Sequence, residues 1–405
     1  MKRVVVTGIG MINSLGLEKE SAFKAIVDGQ CGIKTIESFN AENFSVRIAG
    51  EIMNFDPTTV MDKKEMKKAD RFIQLGLKAS ADAIADANLP DNIDKDRFGV
   101  SSASGIGGLP NIAKNSVICE NRGPRRVSPF FIPSSLVNML GGFVSIYQNL
   151  KGPNLSSVTA CAAGTHAISE ASKTIMIGGA DQMLVVGAES AICEAGISGF
   201  AAMRALSTHN NEPTKASRPF DATRDGFIMG EGAGALVLEN YDDAIARGAT
   251  IYAEVIGFGE SGDANHITSP IMDGPYRAMK SALKMAGNPI IDYINAHGTS
   301  TPANDKNETM AIKELFGKKE DCPPISSIKG QIGHCLGAAG TIEAVVTLMA
   351  IRDGILPPTI NYETKDKDCD LDYIPNMARK ADVNIAMSNS FGFGGTNGVV
   401  IFKKI

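Results

Sequence analysis

Leu155-Ser-Ser-Val-Thr-Ala-Cys161-Ala-Ala-Gly-Thr-His166-Ala167 is the stretch on which the fold turns. The run Ser156 to Thr159 reads as a short buried strand, and the alanine-rich continuation from Cys161 through Ile168 to Gly178 reads as a helix. Cys161 then stands where strand becomes helix. A thiol there faces unpaired backbone N–H groups and the positive end of the helix dipole, which favour thiolate and lower its pKa from about 8.5. Free cysteine is also a common small core residue, so this stretch alone does not separate a nucleophile from a packed side chain.

Upstream, Arg3 to Thr7 is a strand running into Gly8-Ile-Gly10. It is not a dinucleotide fingerprint, because Asn13 replaces the third glycine and no acidic residue follows a second strand about 20 positions on. The basic cluster Lys63 to Lys68 precedes a helix from Asp70 to Asn88, with Ile73, Leu77, Ala81 and Ile84 on one face. Arg97 to Ser102 is a strand, and Gly105-Ile106-Gly107-Gly108 after it is a loop where backbone can approach a ligand closely. Gly123-Pro-Arg125-Arg126-Val-Ser-Pro-Phe-Phe131 is extended, since proline disfavours helix before it. A helix from 133 to 150 then leads to the Cys161 strand.

Downstream, Met183 to Gly187 is a strand, and the glycine-rich connection Arg218 to Ala235 enters another at Leu236 to Glu239. A second alternating series follows, with strands at 252–257, 291–296, 324–328, 384–388 and 398–403 and helices at 276–286, 304–316 and 338–352. Such alternation predicts mostly parallel sheets covered on both faces. The two series share an element order, which points to a duplicated α/β unit divided at 1–240 and 241–405, without a residue-level repeat to prove it.

A chain of 405 residues with 43% hydrophobic content can fill a large core. Its net charge of −5 argues against general nucleic-acid binding, although a local basic patch can sit within an acidic total. No stretch approaches the roughly 18 consecutive apolar residues of a membrane span, so a soluble cytoplasmic protein is expected. The seven cysteines are scattered with no CxxC, which fits reduced thiols and neither a disulfide framework nor a zinc site.

Two of the five histidines stand in glycine-rich settings just beyond strands. His297 lies in Asn295-Ala-His297-Gly-Thr299-Ser-Thr301-Pro-Ala-Asn-Asp305-Lys-Asn-Glu308, and His334 in Ile328-Lys329-Gly-Gln-Ile-Gly333-His334-Cys-Leu-Gly-Ala-Ala-Gly340. Strand ends are where sites form in open α/β sheets. Together with Cys161 the two histidines make a candidate constellation, whereas His166, His209 and His266 have ordinary helix or loop settings.

These motifs, with Asn389-Ser-Phe391-Gly-Phe393-Gly-Gly-Thr-Asn397, resemble the β-ketoacyl-acyl-carrier-protein synthases, and most closely the elongating type II enzymes of bacterial fatty-acid synthesis. The similarity runs over essentially the whole chain. It implies a thiolase-like fold, with duplicated βαβαβαββ halves in a five-layered α-β-α-β-α core, and a homodimer. It also implies a decarboxylative Claisen condensation in which Cys161 carries the acyl group and His297 and His334 stabilise the enolate oxygen of the malonyl unit.

By the same resemblance Lys329 supports the His334 side, with Glu308 and Asp305 as structural acids, and the N–H groups of Cys161 and Phe393 form the oxyanion hole. Ile106, Phe131, Phe200 and Phe391 match acyl-pocket positions, Phe393 a gate, and Thr299 and Thr301 substrate-binding positions. Lys64, Lys67, Lys68, Arg125, Arg126 and Arg204 match positions that dock the acidic acyl carrier protein. The implied enzyme has no metal and no resident cofactor, because phosphopantetheine arrives on the carrier. Gly330-Gln331-Ile332 departs from a Ser-Met-Thr-like triplet, and Asn304 and Asn307 replace small residues.

Rival readings differ at single positions. A thiolase carries a second cysteine in the last motif, which is absent here; an initiating condensing enzyme has Asn in place of His334; a non-catalytic chain-length factor lacks the cysteine. A stand-alone polyketide-type ketosynthase shares every catalytic residue and remains the alternative.

Overall fold

The computed structural model describes residues 1–405. Its first strand, β1 (Val4–Asn13), is buried along its whole length, so the apolar run shows no in-and-out alternation and both faces must be covered. Four more strands complete the first series: β2 (Phe98–Ala103), β3 (Asn154–Ser157), β4 (Gln182–Glu189) and β5 (Gly232–Asn240). The second comprises β6 (Ala253–Gly262), β7 (Tyr293–Asn295), β8 (Ile325–Ser326), β9 (Ile385–Gly392) and β10 (Thr396–Lys403).

Across the sheet the order is β8-β7-β9-β10-β6-β1-β5-β4-β2-β3. Read outward from the centre, the first series runs 1-5-4-2-3 and the second 6-10-9-7-8, the same path with each strand advanced by five. The parallel and antiparallel junctions also correspond one to one. The series meet only through the pairs Val5 with Glu254 and Val6 with Ala253.

The helices that matter are α1 (Arg71–Ala87), α2 (Leu109–Arg122), α3 (Phe131–Ser135), α4 (Met139–Gln148), α5 (Ala163–Met176), α6 (Glu194–Ala202), α7 (Asp273–Met285), α8 (Pro302–Phe316) and α9 (Ala339–Asp353). In α9 every residue from Ala339 to Ile351 is buried, as expected of a helix covered all round. It packs on β5 and β9, and α5 packs on β4, β2 and β10, so this pair forms the middle layer with strands of both series around it. Outside, α1 covers β1, β5 and β4, while α7 covers β6 and β10. The result is the five-layered α-β-α-β-α core of the thiolase-like fold. No helix is long and apolar enough to cross a membrane.

A residue-level repeat does exist at the centre. Ala162-Ala-Gly164-Thr165 opens α5 and Ala338-Ala-Gly340-Thr341 opens α9. A Cβ on Gly164 would lie 2.7 Å from Thr341 N, and one on Gly340 would lie 2.5 Å from Thr165 N. The two helix starts therefore touch backbone to backbone, which only glycine allows.

Several expectations are corrected. Parallel pairing is confined to β3-β2-β4 and β8-β7-β9, and the other junctions are antiparallel. One cause is local: β9 and β10 are joined by Phe393-Gly394-Gly395, with both glycines left-handed, a tight hairpin that can only return antiparallel. The helix expected at 133–150 is two, α3 and α4. Ser134 and Ser135 hydroxyls bond back to the carbonyls of Phe130 and Phe131, both at 2.7 Å, competing with the helical ladder before Leu136 turns extended. The strand before Cys161 is not buried but is the sheet's edge, with Leu155 50% exposed.

Candidate active site

Cys161 lies in the turn Ala160–Ala162 between β3 and α5, 9% exposed. Ala160, just before the thiol, adopts φ +50, a strained value for a residue with a Cβ. The turn is held by the β9–β10 hairpin. Thr396 Oγ1 donates to the Thr159 carbonyl at 3.0 Å, and the Phe393 backbone N–H favours the thiolate of Cys161. A Cβ on Gly392 would sit 2.9 Å from the Thr159 oxygen and 3.2 Å from Cys161 N, so the close approach requires glycine.

His297 follows β7. Its backbone N–H and that of Gly298 donate to the two oxygens of Glu308, at 2.9 and 2.8 Å, and Asn389 Nδ2 donates to the same carboxylate at 3.2 Å. His334 is fixed through its backbone to the connection before β5: its N–H donates to the Ile228 carbonyl at 2.7 Å and its carbonyl accepts from Gly230 N–H at 2.9 Å. Its Nδ1 accepts from the Leu336 N–H at 3.3 Å, so the ring proton resides on Nε2, which is buried with no partner in the protein. The rings of His297 and His334 are 5.4 Å apart at 82°, and the sulfur and one nitrogen of each ring lie within 4.8 Å of one another.

Both imidazoles are held well below their usual pKa, first by burial and then by the Lys329 ammonium, with His334 adding to the effect on His297. They are neutral at physiological pH. Lys329 is buried and ion-paired with Glu343 of α9, a residue that sequence reasoning missed; burial raises the Glu343 carboxyl to about 7 against the pull of Lys329. Glu308 is likewise pushed up to about 7 by burial, opposed by the donors from Gly298, His297 and Asn389.

The expected low thiol pKa is not what the structure gives. Burial pushes Cys161 up to about 12, outweighing Lys329 and the Phe393 N–H. The helix itself begins only at Ala163, beyond the turn. The resting residue is a thiol.

Cys161, His297 and His334 face a cavity of about 640 Å³ whose lining includes Ile106, Phe200, Arg204, Thr299, Thr301, Phe391 and Phe393. Phe393 is 37% exposed and its ring stands 6.4 Å from that of Phe200, whereas Phe391 is buried 5.6 Å from His297. The Thr299 and Thr301 hydroxyls are 2.8 Å apart. Phe131 is not part of this wall: it belongs to α3, which packs against α2, and its carbonyl is occupied by Ser135 Oγ at 2.7 Å and Asn111 Nδ2 at 3.3 Å. Asp305 is also outside the cavity, accepting from Phe220 N–H at 2.8 Å and facing Arg224 at 3.5 Å. Lys64, Lys67, Arg125 and Arg126 are exposed and Lys68 is half-buried, with the Lys67 and Lys68 ammonium groups 5.4 and 5.7 Å from the Phe130 ring; none of them lines the cavity.

His166, given no role from sequence, ties the turn before Cys161 to β10: its Nδ1 is 2.7 Å from Thr159 Oγ1 and its Nε2 is 3.2 Å from the Asn397 carbonyl. Its spacing from Cys161, one helical turn and a half, carries no signal of this.

A duplicated thiolase-like fold with a cysteine and two histidines meeting in one cavity is ketosynthase architecture. Residues 1–244 match the β-ketoacyl synthase N-terminal domain and residues 252–363 the β-ketoacyl synthase C-terminal domain. The chain belongs to the β-ketoacyl synthase family. It is 48% identical over 409 residues to 3-oxoacyl-[acyl-carrier-protein] synthase 2 of Coxiella burnetii, covering 100% of this chain and 99% of that protein. Among solved structures it is similar to a β-ketoacyl synthase from Burkholderia phymatum, with a TM-score of 0.93, 35% identity and 100% of both chains covered. A type II polyketide ketosynthase in complex with its acyl-carrier protein matches with a TM-score of 0.89 and 33% identity, over 100% of this chain and 99% of that one.

Proposed function

We infer that this chain is an elongating 3-oxoacyl-[acyl-carrier-protein] synthase, joining an acyl group on Cys161 to malonyl-carrier with loss of carbon dioxide. The observation that carries this reading is the meeting of a cysteine sulfur and two neutral imidazoles within 4.8 Å in one cavity. In the first half-reaction Cys161 displaces pantetheine from the acyl thioester, and the thiol proton ends on the departing pantetheine sulfur. The tetrahedral oxyanion is held by the N–H groups of Cys161 and Phe393. In the second, malonyl decarboxylation puts negative charge on a thioester oxygen, and His334 Nε2–H and the His297 imidazole stabilise it as neutral donors. The carbanion attacks the acyl thioester, and the released Cys161 thiolate regains a proton, which its raised pKa favours.

The remaining assignments belong to this reading. Ile106, Phe200, Phe391 and Phe393 shape the acyl pocket; Thr299 and Thr301 bind substrate; Lys329, Glu308 and Asp305 hold the site. The carrier docks on Lys64, Lys67, Lys68, Arg125, Arg126 and Arg204, supported by the exposure of all but the half-buried Lys68 and by Arg204 lining the cavity. The division at 1–240 and 241–405 is supported by the repeated strand order. A homodimer, with a second copy against the open edge of β3, is supported by Leu155 and Val158, which are 50% and 53% exposed there. The enzyme needs no metal or resident cofactor and works in the cytoplasm.

A metal centre at Cys161, His297 and His334 is a second reading that their spacing raises. The buried Lys329 ammonium, which already depresses both imidazoles, opposes a dication there. The test of function is to incubate the enzyme with malonyl-carrier and a ladder of acyl-carriers and to size the products. One two-carbon extension per acceptor supports the fatty-acid role, repeated unreduced extension supports the polyketide alternative, and no extension refutes both.

A further inference from the structure

Glu189 ends β4 and is completely buried. Its Oε1 accepts from the Ser104 hydroxyl at 2.8 Å and from the N–H groups of Ile106 and Gly107 at 3.1 and 3.2 Å. Its Oε2 accepts from the N–H groups of Gly105 at 2.6 Å and Gly337 at 2.9 Å. Three successive backbone N–H groups thus converge on one carboxylate, an anion nest whose anion is a side chain of the protein.

The donors come from two places that the chemistry uses separately. Ser104 to Gly107 is the loop after β2 that carries Ile106 to the cavity wall. Gly337 belongs to the turn after His334, next to Leu336, whose N–H fills His334 Nδ1 and so fixes the ring proton on Nε2. The loops meet backbone to backbone: a Cβ on Gly337 would lie 2.0 Å from Gly105 N. The charge of Glu189 itself works against thiolate at Cys161, so what it contributes is the gathering of these donors.

We propose that Glu189 is a positioning residue for both half-reactions, holding the acyl-cavity wall at Gly105–Gly107 and the His334 turn in one register. Chain-length preference and the aim of the His334 donor are then set by the same carboxylate. This rests on the condensing-enzyme reading for its kinetic arms, but not for its structural one.

Two variants test it in the full-length enzyme. Glu189→Gln keeps the shape but puts an amide NH2 where one oxygen accepts, so at least one group of donors loses its partner. Ser104→Ala removes one donor from the cavity-wall side only. Hydrogen exchange by mass spectrometry should show Gly105–Gly107 and Gly337 both exchanging about tenfold faster or more in Glu189→Gln, the scale of one charge-assisted hydrogen bond. The same variant should decarboxylate malonyl-carrier about tenfold more slowly and shift product length. Ser104→Ala should loosen only Gly105–Gly107 and shift product length at an unchanged decarboxylation rate.

Native exchange at either loop in Glu189→Gln would overturn the proposal, as would exchange raised evenly over the whole chain. If Glu189→Gln does not fold, Ser104→Ala decides: unchanged exchange and product lengths, or a loss of decarboxylation, would overturn it. Absence of condensation by the wild-type enzyme would instead refute the function, leaving the exchange result to judge Glu189 by itself.

Discussion

Replacing His334 by alanine removes one donor whose state is fixed before substrate arrives. Its Nδ1 is occupied by the Leu336 N–H, its Nε2–H is buried and unpartnered, and burial with Lys329 keeps the ring neutral. A donor of this kind needs no reorganisation when charge develops, and losing one costs about 2.7–4 kcal/mol in the transition state. At about 1.36 kcal/mol per decade, that is two to three decades in the rate of malonyl decarboxylation. In the proposed mechanism acyl loading depends on the N–H groups of Cys161 and Phe393, so it should proceed normally. Carbon dioxide release from labelled malonyl-carrier measures the first quantity, and intact-protein mass after incubation with acyl-carrier measures the second. Undiminished decarboxylation would refute the role of His334, and an equal loss in both assays would show that the substitution had damaged the site as a whole.

Cys161→Ala should carry no acyl mass and give no condensation; acyl mass on Cys193 or Cys335, neither of which lines the cavity, would move the nucleophile elsewhere. Lys329→Met leaves Glu343 buried without its partner and should destabilise the fold by about 3–5 kcal/mol in denaturant titration, most of it recovered in the double variant with Glu343→Leu. Because the Lys329 charge lowers both imidazole pKa values, its removal raises them, and the acid limb of the decarboxylation profile should move to higher pH; an unmoved limb refutes that coupling. Reversing Lys67, Lys68, Arg125 and Arg126 together should raise KM for acyl-carrier, with the effect shrinking as salt rises and little change on a small pantetheine thioester; equal loss on both substrates would mean damage to the pocket.

The cysteine and the two histidines that meet in the cavity were legible because their motifs are local: each sits just past a strand, among small residues that mark a tight turn. The electrostatics were not, because they depend on partners far away in the chain. Glu343 looks like any acid in a helix until α9 is seen to run through the middle layer and place it on Lys329. Cys161 reads as activated from its helix, yet its burial decides its pKa. Pairing direction failed for a similar reason, since alternation of strands and helices does not reveal that Gly394 and Gly395 close a hairpin. The position of Phe131 depends on α3 packing against α2, which no local motif encodes.

The duplication explains why residues so distant in sequence share one site. Cys161 precedes α5 after β3, and His334 precedes α9 after β8, so the two are topological counterparts in the first and second series. Ala-Ala-Gly-Thr opens both helices, and Gly164 and Gly340 let them meet without intervening side chains. His297 follows β7, the counterpart of β2, whose own following loop carries Ile106. Strand-end loops at corresponding places in the two series thus bring Cys161 and Ile106 from one and His334 and His297 from the other to a single cavity. The physical requirement for that division is the glycine contact at the centre. Enlarging Gly164 to alanine would drive a methyl group to 2.7 Å from Thr341 N, so the two helix starts could not keep this contact.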